Sequence, residues 1–325
     1  MRRCLIIQVF SQKEKPTSYP FLKPASVGVG AKKYLPFDPI EFSISKDGKE
    51  WTSCFDIPDL SGVYCYRAPD VQPANYTDNL KKVGLQDGSR LLSTSYSTRE
   101  MKMEMYFEGI NESDAMLAYD ALQRFLVSRN AYWICFANWA QRMYYVRAKL
   151  GAPTFANEKI WTCEVTFTDL LGLSRSIGTS LDYEDTNGFG NKTTVDALQY
   201  TFTTNSFKVN NLSDTIIDPE RRGHPFKLTL DGNSSGNMKI TNKTTGEYIS
   251  RVGTITTSKD GKKQQGNSSF NGKFVIDGVR ITLNGKSDQM QCDDGVLTLQ
   301  PGINEFQIDN FSGKVTFDFP FWWLS

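Results

Sequence analysis

The sequence REMKMEMYF, at residues 99–107, alternates polar and apolar side chains over most of its length. Successive side chains of an extended strand point to opposite faces, so Met101, Met103, Met105 and Phe107 share one face. This pattern predicts a β-strand with one buried face and one polar face.

A helix is predicted directly after this strand. Asn111 is a favourable N-cap residue, and the acids that follow it suit the positive end of a helix. Spacing of three to four residues predicts a buried helical face made of Met116, Leu117, Ala121, Leu122, Phe125 and Leu126. Further strands are predicted at residues 132–136, 143–150 and 161–167. We therefore expect residues 1–180 to form an α+β domain of antiparallel sheets with one helix.

The second half of the chain is rich in turns. Residues 181–195 lie in a stretch of Ser, Gly, Asn and Asp and are predicted to be a linker. Beyond it, turns such as Asp231-Gly232 and Asn284-Gly285 alternate with short apolar runs. This spacing predicts an antiparallel β-sandwich over residues 196–325, so the fold class as a whole is mainly β.

One segment of the first half does not show a clear pattern. Residues 66–90 contain Pro69, Pro73 and many polar residues, and they predict a long loop or an extended arm. Loops of that length in a compact domain are usually functional, and we expect this one to reach toward a neighbouring molecule.

The composition excludes several classes of function. The 325 residues include 37 basic and 36 acidic ones, so neither a nucleic-acid binder nor a membrane-surface binder is indicated. No run approaches the roughly 20 apolar residues that cross a bilayer. The six cysteines lack the spacing of a metal site and are expected to be free thiols.

The sequence offers no constellation that performs chemistry. His224 is the single histidine, so a Ser-His-acid triad would have to use it, and no Gly-x-Ser-x-Gly elbow accompanies it. We expect His224 to be a turn or surface residue. No catalytic residue, metal or cofactor is predicted, and the chain is not expected to be an enzyme. A pair of carboxylates that meet only in the fold leaves a cell-wall hydrolase open.

The chain carries two adjacent tryptophans, Trp322 and Trp323. Because neighbours on a strand face opposite ways, one is expected to pack inward and the other to point outward. An exposed tryptophan can stack on a sugar ring or fill a subunit interface. Both residues are therefore candidate contacts for a glycan or a partner protein, and the other prediction is a final strand that closes the sandwich.

The order of these features resembles the distal tail protein (Dit) family of siphophages. The motifs that carry the resemblance are Asp87-Gly88-Ser89, the strand from Arg99, the helix, Tyr145-x-Arg147, Gly223-x-Pro225, Asn242-Lys243-Thr244-Thr245-Gly246-Glu247 and Leu299-Gln300-Pro301-Gly302-Ile303-Asn304. The chain departs from the family's usual turn at Asn210-Asn211-Leu212-Ser213-Asp214, before the Gly-x-Pro strand.

The resemblance implies a structural protein of the virion, made in the cytoplasm of a bacterial host. It implies a homo-hexameric ring at the tail tip whose first domain binds the tail tube protein. It also implies a galectin-like second domain, and contacts with the tail-associated or tail fibre protein and with receptor-binding proteins. DNA would pass through the ring without sequence-specific binding. The alternative function is a carbohydrate-binding adhesion module that recognises host cell-wall glycans.

Overall fold

The chain divides into two compact units, residues 1–177 with 324–325 and residues 178–323. The computed structural model describes residues 7–13, 15–16, 35, 37–85, 87–184, 186, 189, 198–257, 263–293 and 295–325. Most of the predicted linker, 181–195, lies outside the described residues, and the domain boundaries given above stay predictions.

The first unit is built on an antiparallel sheet with one α-helix among its described residues. Its elements are β1 Phe42–Ser45, β2 Thr52–Ser53, β3 Val63–Arg67, β4 Tyr76–Lys81, β5 Arg90–Tyr96, β6 Arg99–Glu108, α1 Glu112–Leu126, β7 Tyr132–Phe136, β8 Arg142–Leu150, β9 Thr154–Asn157, β10 Ile160–Asp169 and β11 Ser174–Ser176. The sheet has the strand order β2-β1-β7-β8-β10-β6-β3, with β9 paired to β10 and β11 paired to β8.

The alternating strand predicted from the sequence is β6, and its apolar face forms part of the core of the first unit. It pairs with β10 along its whole length, in a register that sets Met103 opposite Val165 and Phe107 opposite Trp161. Opposed residues of an antiparallel pair share a face, so two apolar rows meet on one side of the sheet. These four side chains are each at most 2% exposed.

The predicted helix α1 covers this apolar face. Its N-cap is Asn111, whose side chain accepts a hydrogen bond from the backbone N–H of Asp114 at 2.9 Å. The indole N–H of Trp161 donates to the carbonyl oxygen of Ala115 at 2.8 Å and joins the helix to the sheet. Part of the predicted face is wrong: the buried residues are Ala115, Ala118, Ala121, Leu122 and Leu126, whereas Met116 and Leu117 are exposed.

The segment 66–90, predicted to be a long loop or an extended arm, contains most of a hairpin. Strands β4 and β5 pair with one another and form a separate two-stranded sheet. The sequence pattern missed it because a β-bulge beside Leu80 interrupts the alternation.

The second unit contains two larger antiparallel sheets. Its strands are β12 Thr201–Phe202, β13 Ser206–Asn211, β14 Lys227–Ser234, β15 Met238–Asn242, β16 Tyr248–Arg251, β17 Ile255–Thr257, β18 Lys263–Gln265, β19 Phe270–Asp277, β20 Arg280–Leu283, β21 Lys286–Ser287, β22 Gly302–Asp309, β23 Ser312–Asp318 and β24 Trp322–Trp323. One sheet has the order β12-β23-β14-β19-β20-β21 and the other the order β13-β22-β15-β16.

Aromatic side chains from the two sheets pack against one another in the space between the sheets. Phe317 of β23 lies 5.0 Å from Phe306 of β22 and 5.8 Å from Phe207 of β13, measured between ring centroids. Contacts of this kind across facing sheets define a β-sandwich. The predicted fold class, mainly β with an α+β first part, is confirmed, while the galectin-like character of the sandwich stays a prediction.

Candidate functional site

The hairpin β4–β5 is the most unusual surface of the first unit. It follows β3 and precedes β6, and those two strands pair with one another, from Val63 opposite Phe107 to Arg67 opposite Glu104. The hairpin therefore continues a ribbon that begins in the main sheet. In the described part of the chain, β4 and β5 pair only with each other.

One face of this hairpin is apolar. Tyr76 lies opposite Tyr96, and Leu80 lies opposite Leu91. The bulge adds Leu92 beside Leu91, so two leucines of β5 oppose one residue of β4. Alternation along β4 places Tyr76 and Leu80 on the same side of the ribbon. We call these five residues the apolar face.

A polar pair lies within the apolar face. Asp78 is opposite Thr94, and the Thr94 hydroxyl donates to the carboxylate of Asp78 at 2.8 Å. This hydrogen bond gives both side chains a partner inside the hairpin. The pair therefore adds less desolvation cost when the face is covered than two separate polar groups would.

The opposite face of the hairpin is polar. Its opposed pairs are Thr77 with Ser95, Asn79 with Ser93, and Lys81 with Arg90. The two cations lie at the far end of the strands and keep their charges in water when only the other face is covered. The hairpin is thus amphipathic, which is the pattern of a sheet that packs on protein through one face.

The apolar face has no cover within the described part of the chain. Tyr76 is 65% exposed, Leu80 57%, and Leu91 and Leu92 53% each. Beyond the strands, Leu85 is fully exposed. An isolated two-stranded hairpin is marginally stable in water, and a contiguous apolar patch marks an interaction surface. The arrangement fits a protein–protein contact.

The base of the hairpin is firmly held. The backbone N–H of Ser97 donates to the carbonyl oxygen of Asn75 at 2.8 Å. Gly172 lies so close that a Cβ there would be 2.2 Å from the carbonyl oxygen of Ser97. The guanidinium of Arg99 donates to the carbonyl oxygen of Gln72 at 2.8 Å. These contacts fix the direction in which the hairpin leaves the unit.

A cavity of about 630 Å³ opens at this base. Its lining consists of Pro73, Ala74, Asn75, Tyr76, Tyr96 and Leu324. The two tyrosines are the first opposed pair of the apolar face, so the cavity adjoins that face.

The two tryptophans predicted as contacts are both buried, at 5% exposed for Trp322 and 2% for Trp323. The prediction that one ring points outward is therefore wrong. The Trp322 ring stacks on His224 at 4.9 Å, and the Trp323 indole N–H donates to the carbonyl oxygen of Leu212 at 3.1 Å. A glycan or partner contact through these rings stays a prediction, and it requires a rearrangement that uncovers them.

His224 is buried rather than at the surface, which corrects the expectation from its turn-like sequence. Its Nδ1 accepts a weak hydrogen bond from the backbone N–H of Asp218 at 3.4 Å. Burial, aided by the charge of Arg222, lowers the pKa of His224 to about 4. The imidazole is therefore neutral at pH 7 and is packed against an aromatic ring instead of facing a substrate.

The cysteines of the described residues are free thiols, and most are buried. Burial raises the pKa of Cys54 and of Cys65 to about 12, so neither is a thiolate nucleophile at neutral pH. Within the described ranges, no group of three or more His, Cys, Asp or Glu side chains is arranged to hold a metal ion. No helix described here is long and apolar enough to span a bilayer.

A segment of the first unit is similar to a known protein family. Residues 65–168 match the family described as phage tail protein RIFT-related domain. This segment runs from β3 through the hairpin and the helix to β10. The candidate surface therefore lies inside a segment that is similar to a phage tail domain.

The fold as a whole is similar to that of a distal tail protein. The crystal structure of the Dit protein of phage SPP1, described as a paradigm of the hub adsorption apparatus in phages that infect Gram-positive bacteria, matches with a TM-score of 0.52 and 15% identity. The match covers 86% of this chain and 99% of that one. A chain of the phage P2 baseplate in its activated conformation with Ca matches at a TM-score of 0.36 and 8% identity, over 87% and 97% of the two chains. A search of curated proteins found no match.

The resemblance to siphophage tail proteins inferred from the sequence is confirmed. The matched family is a phage tail domain, and the SPP1 protein has the same fold at low identity. Together they support a structural role in a phage tail and a location in the virion tail. The sequence patterns missed the hairpin, although the apolar residues Leu80 and Leu91, which flank the glycine-containing segment 82–89, were a signal that could have indicated it.

Proposed function

We propose that this chain is a ring-forming hub subunit at the distal end of a long, non-contractile phage tail. Six copies form the ring. The first unit contacts the tail tube protein, and the second unit contacts the tail-tip or baseplate and receptor-binding components. The protein performs this role without catalysis. DNA passes through the ring without being bound, which is consistent with the nearly balanced charge of 37 basic and 36 acidic residues.

The observation that carries the proposal is the amphipathic hairpin. Its apolar face is more than half exposed at Tyr76, Leu80 and Leu91. Burial of such a face is favourable by about 25 cal/mol per Å² of apolar surface, and this term favours association. The position of this surface inside a segment similar to a phage tail domain supports assembly within a tail.

Light scattering coupled to size-exclusion chromatography, with negative-stain images, tests the proposal. We expect a particle of six times the 36.7 kDa chain mass, with ring-shaped images. Replacing Leu80 and Leu91 together by Gln keeps the side-chain length but removes the apolar contact, and the ring mass should be lost. The matched control replaces Asn79 and Ser93, an opposed pair on the polar face, by Gln and should leave the ring intact.

A strictly monomeric wild-type chain at high concentration, also in the presence of its tube protein, would contradict the proposal. Loss of the ring in both double variants would show that the hairpin conformation matters and its apolar face does not. Hydrolysis of purified cell-wall polysaccharide by the pure protein would instead support the enzymatic alternative.

A further inference from the structure

The helix α1 has an exposed row of side chains on its outer surface. Residues four positions apart are neighbours on a helix, so Glu112, Met116, Asp120 and Arg124 form one row, which we call the helix row. Met116 is 51% exposed. The side chains of Asp120 and Arg124, which pair with each other at 3.1 Å, are 59% and 63% exposed. Beside the row, Leu117 is 65% exposed.

Glu112 gives the helix row a negative end. Its side chain is exposed and makes no hydrogen bond or ion pair with any described residue. Residues 108–120 as a whole contain four acids and no lysine or arginine. The helix dipole favours acids at this end. An exposed carboxylate one turn before an exposed methionine also favours a partner that carries a cation next to an apolar side chain.

Strand β4 of the hairpin carries such a combination. Alternation places Tyr76, Asp78 and Leu80 on one side of the ribbon, and its continuation by one residue places Lys82 on the same side. We call these four residues the strand row. Lys82 is exposed and forms no ion pair within the described part of the chain. Read from its far end, the strand row is a cation, a leucine, an acid and a tyrosine.

The two rows match in spacing as well as in order. Two residues of a strand rise about 7 Å, and four residues of a helix rise about 6 Å. A strand that lies along the helix with Lys82 facing Glu112 therefore brings Leu80 to Met116. In a single copy both Leu80 and Met116 are more than half exposed, so the rows of one copy do not cover each other.

We propose that strand β4 of one copy of this chain packs along α1 of a second copy, with Lys82 against Glu112 and Leu80 against Met116. This inference rests on the proposed ring, and it names the partner surface of the apolar face. The occupant of the helix row is thus the hairpin of a neighbouring copy, because the hairpin supplies both the cation and the leucine in the required order.

Further along the rows the charges also agree. Asp78 comes level with Arg124, whose guanidinium pairs with a carboxylate of its own helix and has further N–H groups for a second one. Beside the rows, Leu91 and Leu92 of the hairpin meet Leu117 of the helix. The apolar contacts remove surface of both copies from water, and the charged pairs fix the register of strand on helix.

The geometry of this contact is compatible with a ring. The strand row and the helix row are different surfaces, so each copy uses its hairpin on one side and its helix on the other. Such a heterologous interface closes into a ring when the rotation between copies closes. A contact between two identical hairpins would give a closed dimer instead.

Charge exchange tests the contact. Lys82→Glu and Glu112→Lys each place like charges opposite one another, so each should raise the concentration at which half of the chains are assembled by about tenfold or more. The double variant carries the pair in reverse and should assemble near the wild-type concentration. The matched control is Lys81→Glu, which makes the same charge change at the same end of the hairpin but on its polar face. It should leave assembly unchanged and should not rescue Glu112→Lys.

Sedimentation velocity over a concentration series gives the readout and identifies which idea fails. If the wild type assembles and both single variants assemble equally well, the strand-on-helix contact is overturned and the proposed function stands. A double variant that is as weak as the single variants, or a Lys81→Glu variant that is weakened as much as Lys82→Glu, also overturns the contact. A monomer mass of the wild type at high concentration overturns both the contact and the proposed function.

Discussion

At the scale of single residues, His224 shows how the sandwich depends on pH. Its imidazole is 7% exposed, stacks on Trp322 and has a pKa near 4 instead of the usual 6.5. Between these values the unfolded chain takes up a proton that the folded chain does not. Stability therefore falls as the pH decreases from about 6.5 to 4, and the loss from this residue is about 3 kcal/mol.

The prediction for His224 is a difference between two pH profiles. His224→Phe keeps an aromatic ring against Trp322 and removes the titration. Denaturant unfolding at several pH values should show that the wild type loses about 3 kcal/mol more than the variant between pH 7 and 4. Carboxylates common to both proteins cancel in this comparison. Parallel profiles would contradict this prediction, because they would mean that the imidazole takes up a proton in the folded protein as readily as in the unfolded chain.

A buried ion pair sets a second prediction at this scale. Arg99 and Asp169 meet at 2.9 Å, and their side chains are 5% and 0% exposed. Arg99 also donates to the carbonyl oxygen of Leu324 at 2.9 Å. Arg99→Met leaves a carboxylate buried without its cation, which should destabilise the first unit by about 3–5 kcal/mol.

The control for Arg99 is another arginine in an ion pair. Arg67 contacts Asp70 at 2.9 Å, but these side chains are 60% and 72% exposed. Exposed pairs contribute about 0–1 kcal/mol, so Arg67→Met should change the free energy of unfolding little. Equal losses in the two variants, measured by chemical denaturation, would mean that burial does not govern the strength of these pairs.

Local pattern could not reveal the surroundings of His224 or the tryptophans. The alternation rule places Trp322 and Trp323 on opposite sides of a strand, but it cannot say whether both sides are covered. The partner of Trp322 is His224, nearly a hundred residues earlier in the chain. A contact at that separation is a property of the packed sandwich, and no local window of sequence contains it.

At the scale of elements, the strands β6 and β10 and the helix α1 were predictable because each repeats a simple period. The hairpin β4–β5 was not, since the bulge beside Leu80 shifts the alternation by one residue. The helix face was only partly correct. Small residues, Ala115 and Ala118, contact the sheet, and a search for large apolar side chains assigned Met116 and Leu117 to the core instead.

The N-terminus of α1 gives a prediction for one element. Asn111 accepts the N–H of Asp114, and the Asp114 carboxylate accepts the N–H of Ile110 at 2.9 Å. Asn111→Ala removes one acceptor from the first turn and should cost about 1 kcal/mol of stability. Ser113→Ala, in the same exposed turn, should have little effect. Thermal unfolding of both variants checks the assignment, which fails if they are equally stable.

At the scale of the whole molecule, the two units have different tasks in the proposed assembly. The first unit carries the hairpin and the helix α1, and the second carries its own core between two sheets. In the second core, aromatic rings such as Phe306 and Phe317 are buried, and their ring centroids lie 5.0 Å apart. We therefore expect the second unit to fold independently and to lack the capacity for ring formation.

A fragment of residues 178–323 tests this division of tasks. Because its sandwich is complete, the fragment should unfold cooperatively in denaturant and give dispersed NMR signals. Because it lacks the apolar face and the helix α1, it should have a monomer mass at concentrations where the full chain forms a ring. The Leu80→Gln, Leu91→Gln full-length variant is its counterpart, with both units present but the contact removed. A ring formed by the fragment would contradict this prediction. It would show that the sandwich carries the assembly surface and that the exposed hairpin binds a different partner.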